Sequence, residues 1–363
     1  ASIIAAMHWD LFCRVVDNLG DIGFCWRLAA ELAARGERVR LWLDEPGPLA
    51  WMAPDGAPGV ALGRWADACG VESPGDVVLE TFGCGLPEAF VARMAQRTRP
   101  PLWIDLEYLS AEPYVERSHG LPSPRPVGPG HDLTMWFYYP GYTEATGGLL
   151  READLAERRR RYSRADWLRS IGVDSAATLR EEARIVSLFC YDNPALPALL
   201  DTLGGAPTLL LATAGRAACQ VERELGPGLE RGALKAHVLP RLSQIDYDHL
   251  LWASDLNFVR GEDSFVRAQW AGAPFVWQIY PQHDRAHIAK LDAFLDLFLR
   301  GAAPALACEV RRLFAAWNGI GKWPALPDPH AWRRHCEAWR AELCAQTDLC
   351  TRLLAYAGAR LLK

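Results

Sequence analysis

The sequence predicts an α/β protein with two successive domains, each built on a parallel β-sheet. The chain has 363 residues, more than one compact core usually takes and a comfortable length for two domains. Short apolar, β-prone segments alternate with segments of helical periodicity in the first half, and again in the second. Strand–helix–strand units of this kind impose parallel pairing. We therefore expect two Rossmann-like halves that face each other across a cleft, with ligands outside the carboxyl ends of the strands.

Composition and charge exclude several classes of protein. Lys and Arg number 39 against 44 Asp and Glu, which argues against a protein that coats nucleic acid or anionic lipid. No apolar run approaches the ~18 to 20 residues of a membrane span, and the first seven residues lack the features of a signal peptide. The ten cysteines form no Cys-x-x-Cys pair, so we expect reduced thiols in a cytoplasmic protein without structural zinc.

The first half predicts one sheet. Apolar segments predict strands over residues 10–16, 39–43, 77–81 and 102–105. A turn-rich loop over 17–23 leads from the first strand to a helix from Phe24 to Arg35. Four prolines between His119 and Gly130 predict a long irregular loop.

The second half repeats the pattern after a polar helix expected over residues 151–170. That helix contains Arg158–Arg161, a run that we interpret as a solvated linker face rather than a nucleic-acid patch. Strands are predicted over 184–189, 208–211, 236–239, 255–259 and 274–279, with helices over 247–252 and 265–271. The predicted domains are residues 1–152, joined by a C-terminal helix within 345–363, and residues 153–344.

Two carboxylates, Asp17 and Asp21, lie in the loop that leaves the first strand. The loop is not Gly-x-Gly-x-x-Gly and its charge would repel a pyrophosphate, so an NAD-dependent oxidoreductase is disfavoured. The chemical interpretation is a carboxylate pair that binds a cation or accepts a proton from a nucleophile. The structural alternative is that Asp21 caps the following helix and Asp17 stabilises the turn.

Five residues between a buried strand and a helix, Arg260-Gly261-Glu262-Asp263-Ser264, form the segment richest in polar groups. The helix N-terminus, the Ser264 hydroxyl and the Arg260 guanidinium suit a diphosphate. Glu262 and Asp263 suit sugar hydroxyls. The alternative is that Asp263 or Ser264 caps the helix and Arg260 makes a surface ion pair.

Aromatic and amide side chains follow two other strands of the second half. Phe189 and Tyr191 offer a stacking surface for a base, although aromatics at strand spacing are also typical of a core. Gln244 and Tyr247 lie in a strand-to-helix loop, where they are placed to read a base edge.

Long segments in both halves of the chain resemble segments of one known protein family. They read DLFCRVVDNLGDIG (10–23) with CWRL (25–28), LWASDLNFVRGEDSFVRAQW (251–270) and PFVWQIYPQ (274–282). Each closely resembles the corresponding segment of the bacterial elongation factor P arginine rhamnosyltransferases, and the likeness covers nearly the whole chain. It implies a GT-B glycosyltransferase that moves L-rhamnose from dTDP-β-L-rhamnose to one arginine of elongation factor P. It also implies inversion at the anomeric carbon, no metal or other cofactor, a donor site in the C-terminal domain and an acceptor surface mainly in the N-terminal one.

The resemblance also implies roles for single residues. Asp21 is the general base or the carboxylate that orients the guanidinium, Asp17 supports it, and Glu262 is the third essential acid. The diphosphate region is held by Arg260, Asp263 and Ser264, and the thymidine and ribose pocket is formed by Phe189, Tyr191, Gln244 and Tyr247. Relatives are expected to have a hydrophobic residue at the position of Arg241. The detail of the base pocket is therefore expected to differ in this chain.

The proposed reaction needs residues of these types even when the family resemblance is set aside. A guanidinium has a pKa above ~12, so it is a cation and a poor nucleophile. Glycosylation of its nitrogen needs carboxylates that orient it and take its proton. The departing diphosphate gains negative charge, which Arg260 and a helix N-terminus stabilise without a divalent ion.

Three alternatives remain open at this stage. A GT-B glycosyltransferase or sugar-nucleotide epimerase with a small acceptor predicts a closed acceptor pocket instead of a protein-docking surface. A non-catalytic sugar-nucleotide-binding partner of elongation factor P predicts that Asp21→Asn behaves like the wild type. An oxidoreductase predicts tight NADH binding. We expect a monomer that binds neither nucleic acid nor membranes.

Overall fold

The computed structural model describes residues 6–15, 19–173, 183–281 and 286–362. Contacts divide the chain into two compact units, Ala1–Leu155 with Gln346–Lys363, and Ala156–Ala345. The sequence prediction placed this division between residues 152 and 153. No helix among the described residues is long and apolar enough to cross a bilayer.

The first unit contains a seven-stranded sheet in the order β3-β2-β1-β4-β5-β7-β6. Its strands are β1 (His8–Cys13), β2 (Arg38–Leu43), β3 (Val60–Arg64), β4 (Val77–Thr81), β5 (Leu102–Leu106), β6 (Pro122–Pro124) and β7 (Thr134–Tyr138). All neighbours are parallel except β6 and β7. The helices are α1 (Gly20–Ala34), α2 (Leu49–Met52), α3 (Glu88–Gln96) and α4 (Tyr114–Ser118), with a 3₁₀ turn at Trp65–Gly70.

The second unit contains a six-stranded sheet in the order β10-β11-β9-β8-β12-β13. Its strands are β8 (Arg184–Leu188), β9 (Thr208–Ala212), β10 (Glu230–Arg231), β11 (Leu234–Val238), β12 (Leu256–Arg260) and β13 (Phe275–Gln278). Its neighbours are parallel except β10 and β11. The helices after the first unit's α4 are α5 (Leu155–Arg161), α6 (Arg164–Ser170), α7 (Leu196–Gly204), α8 (Arg216–Leu225), α9 (Gln244–Ala253), α10 (Asp263–Ala271), α11 (Ala286–Phe298), α12 (Pro304–Trp317) and α13 (Pro329–Ala345).

The last helix, α14 (Leu349–Leu361), packs in the first unit. Asp348 caps it by accepting the backbone N–H of Thr351 at 3.0 Å. The same Asp348 forms an ion pair with Arg35, at the end of α1, over 2.8 Å. One capping carboxylate therefore both starts the helix and fastens it to α1.

In each sheet the chain adds strands first towards one edge and then, after one reversal, towards the other edge, as in doubly wound sheets. Strands β1 and β4 are neighbours in the first unit, and β8 and β12 are neighbours in the second. Ligands in such folds bind at this switch point, outside the carboxyl ends of the strands. Asp21 follows β1, Phe189 and Tyr191 follow β8, and Arg260 ends β12, so these candidate residues lie at the switch points of their sheets.

Two predicted elements are wrong in the structure. Residues 122–124 are not irregular but form the edge strand β6, which tolerates prolines because an edge strand leaves N–H positions unpaired. The single helix expected over 151–170 is two helices, α5 and α6. The break lies at Ser163, whose side chain caps α6 by accepting the N–H of Asp166 at 3.3 Å.

Candidate active site

Asp21 lies in the first turn of α1 and is 3% exposed. Leu19 occupies the N-cap position, and its side chain makes no capping hydrogen bond, so the expectation that Asp21 is the cap residue is wrong. A carboxylate in the first turn is stabilised by the N-terminal N–H groups and the helix dipole. Cys25, one turn later, contacts Oγ1 of Thr81 through Sγ at 3.3 Å, so the start of α1 lies beside the end of β4. Asp17 lies outside the described residues.

Arg260 is the centre of the candidate site in the second unit. It is the last residue of β12 and is 7% exposed. Its Cζ lies 4.3 Å from the ring centroid of Phe189 and 4.4 Å from that of Tyr191. Both distances are within the ~6 Å of a cation–π contact. The alternative of a surface ion pair is wrong, because this guanidinium is buried against aromatic rings.

The turn after Arg260 is fixed through its backbone. Ser264 Oγ accepts the N–H of Arg260 at 3.1 Å and also donates to the carbonyl oxygen of Arg260. Gly261 adopts φ +62°, a conformation that side chains rarely take, and its carbonyl accepts the indole N–H of Trp277 at 2.7 Å. The turn leads directly into the N-terminus of α10, where backbone N–H groups favour an anion.

Glu262 is the N-cap residue of α10, and its side chain makes no capping hydrogen bond to that helix. Neither Asp263 nor Ser264 is therefore the cap, contrary to the structural alternative. Instead, Oε1 of Glu262 accepts a hydrogen bond from Nζ of Lys290 in α11 at 2.6 Å. Asp263 is the first residue of α10 and is half-buried.

Tyr247 and Gln244 lie on α9, which begins at Gln244, so the prediction that both lie in the loop before the helix is wrong. The ring of Tyr247 meets that of Phe189 edge to face, with centroids 5.6 Å apart. Burial raises the pKa of Tyr247 well above its ordinary value, so its hydroxyl stays protonated at neutral pH. Gln244 is buried one turn earlier, and Arg241 is exposed in the preceding loop.

The structure thus brings together most of the residues predicted in the second unit. Tyr247, Phe189, Tyr191, Arg260 and Ser264 form one continuous set of contacts. A buried cation between two rings, next to a helix N-terminus, suits a ligand with a flat ring and an anionic group. In the described ranges, no group of three or more His, Cys, Asp and Glu side chains is arranged to hold a metal ion.

Comparison with known proteins identifies the family. The model of the elongation factor P (EF-P) rhamnosyltransferase EarP matches residues 9–358. The protein-arginine rhamnosyltransferase of Pseudomonas aeruginosa is 44% identical over 376 residues, which cover 96% of this chain and 98% of that protein. The chain belongs to the EarP family. It is therefore a glycosyltransferase enzyme, which confirms the family that the sequence motifs indicated.

Solved structures agree with an EarP fold. One, described as the structural basis for EarP-mediated arginine glycosylation of translation elongation factor EF-P, is 33% identical with a TM-score of 0.65, covering 96% of this chain and 98% of that one. The spinosyn forosaminyltransferase SpnP is 12% identical with a TM-score of 0.53, covering 99% of this chain and all of that one, and shows the fold alone. The predicted GT-B class of two Rossmann-like domains is confirmed.

Sequence patterns missed or misread several residues of this chain. Within the run Arg158–Arg161, Arg158 pairs with the buried Asp248 at 2.9 Å, and Arg159 donates to the carbonyl oxygens of Trp270 and Ala271 at 3.0 and 2.6 Å. Half of the run therefore packs inside the second unit, and the interpretation as a wholly solvated face is wrong. A run alone does not show which of its members face inward.

Asp248 also fastens α9 to α10. Its two carboxylate oxygens accept Nε and Nη2 of Arg267, each at 2.7 Å. Both side chains are at most 2% exposed. Because Tyr247 and Ser264 lie on these two helices, the Asp248–Arg267 pair sets the spacing between them. Neither Asp248 nor Lys290 belongs to a local motif that would have marked it in the sequence.

Proposed function

We propose that this chain transfers L-rhamnose from dTDP-β-L-rhamnose to an arginine side chain of EF-P, with inversion and without a metal ion. The observation that carries the proposal is the position of Arg260, held between Phe189 and Tyr191 at the turn that opens α10. The similarity to named protein-arginine rhamnosyltransferases and to an EarP structure concerned with EF-P supports the sugar and the acceptor.

The donor half of the proposal rests on charge and shape. In the proposed complex the base stacks in the aromatic set of Phe189, Tyr191 and Tyr247, with Gln244 at its edge. Arg260 and the N-terminal N–H groups of α10 hold the diphosphate, and Asp263 and Ser264 lie in the same turn. As the sugar–phosphate bond breaks, negative charge grows on the diphosphate, and a preorganised guanidinium stabilises it there in place of a divalent cation.

The acceptor half assigns the carboxylates. A guanidinium nitrogen attacks the anomeric carbon, the bond to the diphosphate breaks, and the nitrogen loses one proton to a carboxylate. A single displacement of this kind inverts the anomeric centre. Asp21 orients the guanidinium and takes the proton, Asp17 supports it, and Glu262 is the third acid. Because the acceptor is a translation factor, we place the reaction in the cytoplasm, and we propose a monomeric enzyme.

Intact-mass measurement of EF-P tests the proposal. EF-P is incubated with the enzyme and dTDP-β-L-rhamnose in the presence of a chelator. The expected product gains one deoxyhexose on one arginine, with the α-anomer seen by NMR. Asp21→Asn should abolish the product while leaving dTDP binding intact. Asp55→Asn, at an exposed position of the same unit, is the matched control and should keep full activity.

Other outcomes separate the remaining possibilities. Binding of dTDP with no modified EF-P would contradict the acceptor and favour a small-molecule acceptor or an epimerase. Modification that continues undiminished in Asp21→Asn would contradict the role of that carboxylate. Loss of product on chelation that is restored by Mg²⁺ would overturn metal independence.

A further inference from the structure

Phe82 and Tyr108 form a parallel aromatic stack in the first unit. Their ring centroids are 4.3 Å apart and their planes differ by 9°. Phe82 directly follows β4 and Tyr108 follows β5 by one residue, so the stack lies at the carboxyl ends of two neighbouring strands. Both rings are half-buried and therefore partly reachable from solvent.

The backbone that carries Phe82 is unusual. Phe82 has φ +59°, and Gly83 and Gly85 follow at +61° and +71°. A bulky residue with positive φ is a genuine outlier, and such conformations concentrate at functional positions. Here the N–H of Phe82 donates to the carbonyl oxygen of Leu106 at 2.7 Å, and the N–H of Gly83 donates to Oδ1 of Asp105 at 3.2 Å. Hydrogen bonds that the turn donates to β5 thus hold its strained backbone.

The stack adjoins Asp21 within the same unit. Phe24 lies three residues after Asp21 on α1, on the same helical face. Its ring centroid is 5.5 Å from that of Phe82. Cys25, four residues after Asp21, contacts Thr81, the residue before Phe82. Two independent contacts therefore place the aromatic stack beside the turn that carries Asp21.

We infer that the Phe82–Tyr108 stack is the surface on which the acceptor guanidinium lies while Asp21 orients it, an inference that rests on the proposed function. A guanidinium is planar and weakly hydrated, so it stacks on aromatic rings more readily than an ammonium group does. Carboxylates alone attract Lys and Arg alike. A rigid aromatic surface next to a carboxylate discriminates in favour of arginine and fixes the plane of the group that must be attacked.

Steady-state kinetics with EF-P as the varied substrate test this inference. Phe82→Leu and Tyr108→Leu should each raise the KM for EF-P about tenfold, the scale of a partly desolvated cation–π contact. The Kd of dTDP, measured by calorimetry, should not change. Tyr108→Phe keeps the ring and should restore the wild-type KM. Trp136→Leu removes another half-buried ring of this unit, one that contacts Arg360 at 4.3 Å, and should leave the KM for EF-P unchanged.

The results separate the two levels of the argument. If the wild-type enzyme does not modify EF-P, the proposed function fails. If it does, and Tyr108→Leu has the wild-type KM for EF-P, only the role of the stack is overturned. Circular dichroism and thermal melting check the fold of each variant, and Tyr108→Leu decides the question should Phe82→Leu not fold.

Discussion

Nζ of Lys290 donates a hydrogen bond to Oε1 of Glu262 over 2.6 Å, and the two side chains are 22% and 19% exposed. Glu262 opens α10 and Lys290 lies on α11, so the pair joins two helices at the turn that follows Arg260. A carboxylate at this position would by itself repel a diphosphate. The ammonium group both offsets that charge and fixes the direction of the carboxylate.

Lys290 is therefore expected to act as a positioning residue for Glu262. Lys290→Met should lower kcat/KM about tenfold, because it leaves a partly buried carboxylate without its cation. Lys290→Arg should recover part of the loss. Steady-state assays of EF-P modification measure the effect, and Lys322→Met, at an exposed position of the same unit, is the control. Equal kcat/KM in Lys290→Met and the wild type would exclude this role.

Arg260 should dominate donor affinity. Arg260→Met should weaken dTDP binding by about ten- to a hundredfold, because it removes a buried cation that is held against two rings. Arg260→Lys should recover little of this, since an ammonium group lacks the planar fork. Calorimetric titration with dTDP gives the result directly. Arg161→Met, at a side chain that is 79% exposed, should bind as the wild type does. Tight dTDP binding by Arg260→Met would place the diphosphate elsewhere.

The strands were predictable because central parallel strands are continuous apolar runs. Residues 256–260 and 275–278 lie within a residue or two of their predicted bounds. The aromatic pair Phe189 and Tyr191 could be nominated because both follow such a strand. The edge strand β6 could not be predicted, since its pairing with β7 is set by position in the sheet and not by its own proline-rich sequence.

Long-range partners were beyond the reach of sequence patterns for a different reason. Asp248 and Arg267 are 19 residues apart on separate helices, and only the packing of α9 on α10 reveals that they pair. Lys290 and Glu262 are 28 residues apart in the same way. Local spacing identifies residues at the end of one strand, whereas the groups that orient them come from neighbouring elements.

The Asp248–Arg267 pair should be costly to break. Asp248→Asn should lower the free energy of unfolding of the second unit by about 3 kcal/mol, because it removes the carboxylate charge that pairs with the buried Arg267 and with Arg158. Urea unfolding followed by tryptophan fluorescence measures the loss. The exposed i,i+4 pair Glu157–Arg161 is the comparison, and Glu157→Gln should cost roughly 0.5 kcal/mol or less. Equal losses of unfolding free energy in Asp248→Asn and Glu157→Gln would show that burial does not strengthen the Asp248–Arg267 pair.

Asp105 should make the stability of the first unit depend on pH. Burial, together with Glu80 and Glu107 nearby, raises the pKa of Asp105 from 3.8 to about 8. Between these values the folded protein keeps a proton that the unfolded chain has lost, so the free energy of unfolding falls as the pH rises. From pH 6 to pH 9 the loss should be on the order of 2–3 kcal/mol. Asp105→Asn retains an oxygen for the N–H of Gly83 but cannot ionise.

The slope of stability against pH is therefore the quantity to compare. Thermal melting at intervals from pH 6 to pH 9 should show a declining midpoint in the wild type and a flatter profile in Asp105→Asn. Glu144→Gln, at an exposed carboxylate of the same unit, should follow the wild-type profile. Parallel profiles for the wild type and Asp105→Asn would show that Asp105 does not change its protonation state between pH 6 and pH 9.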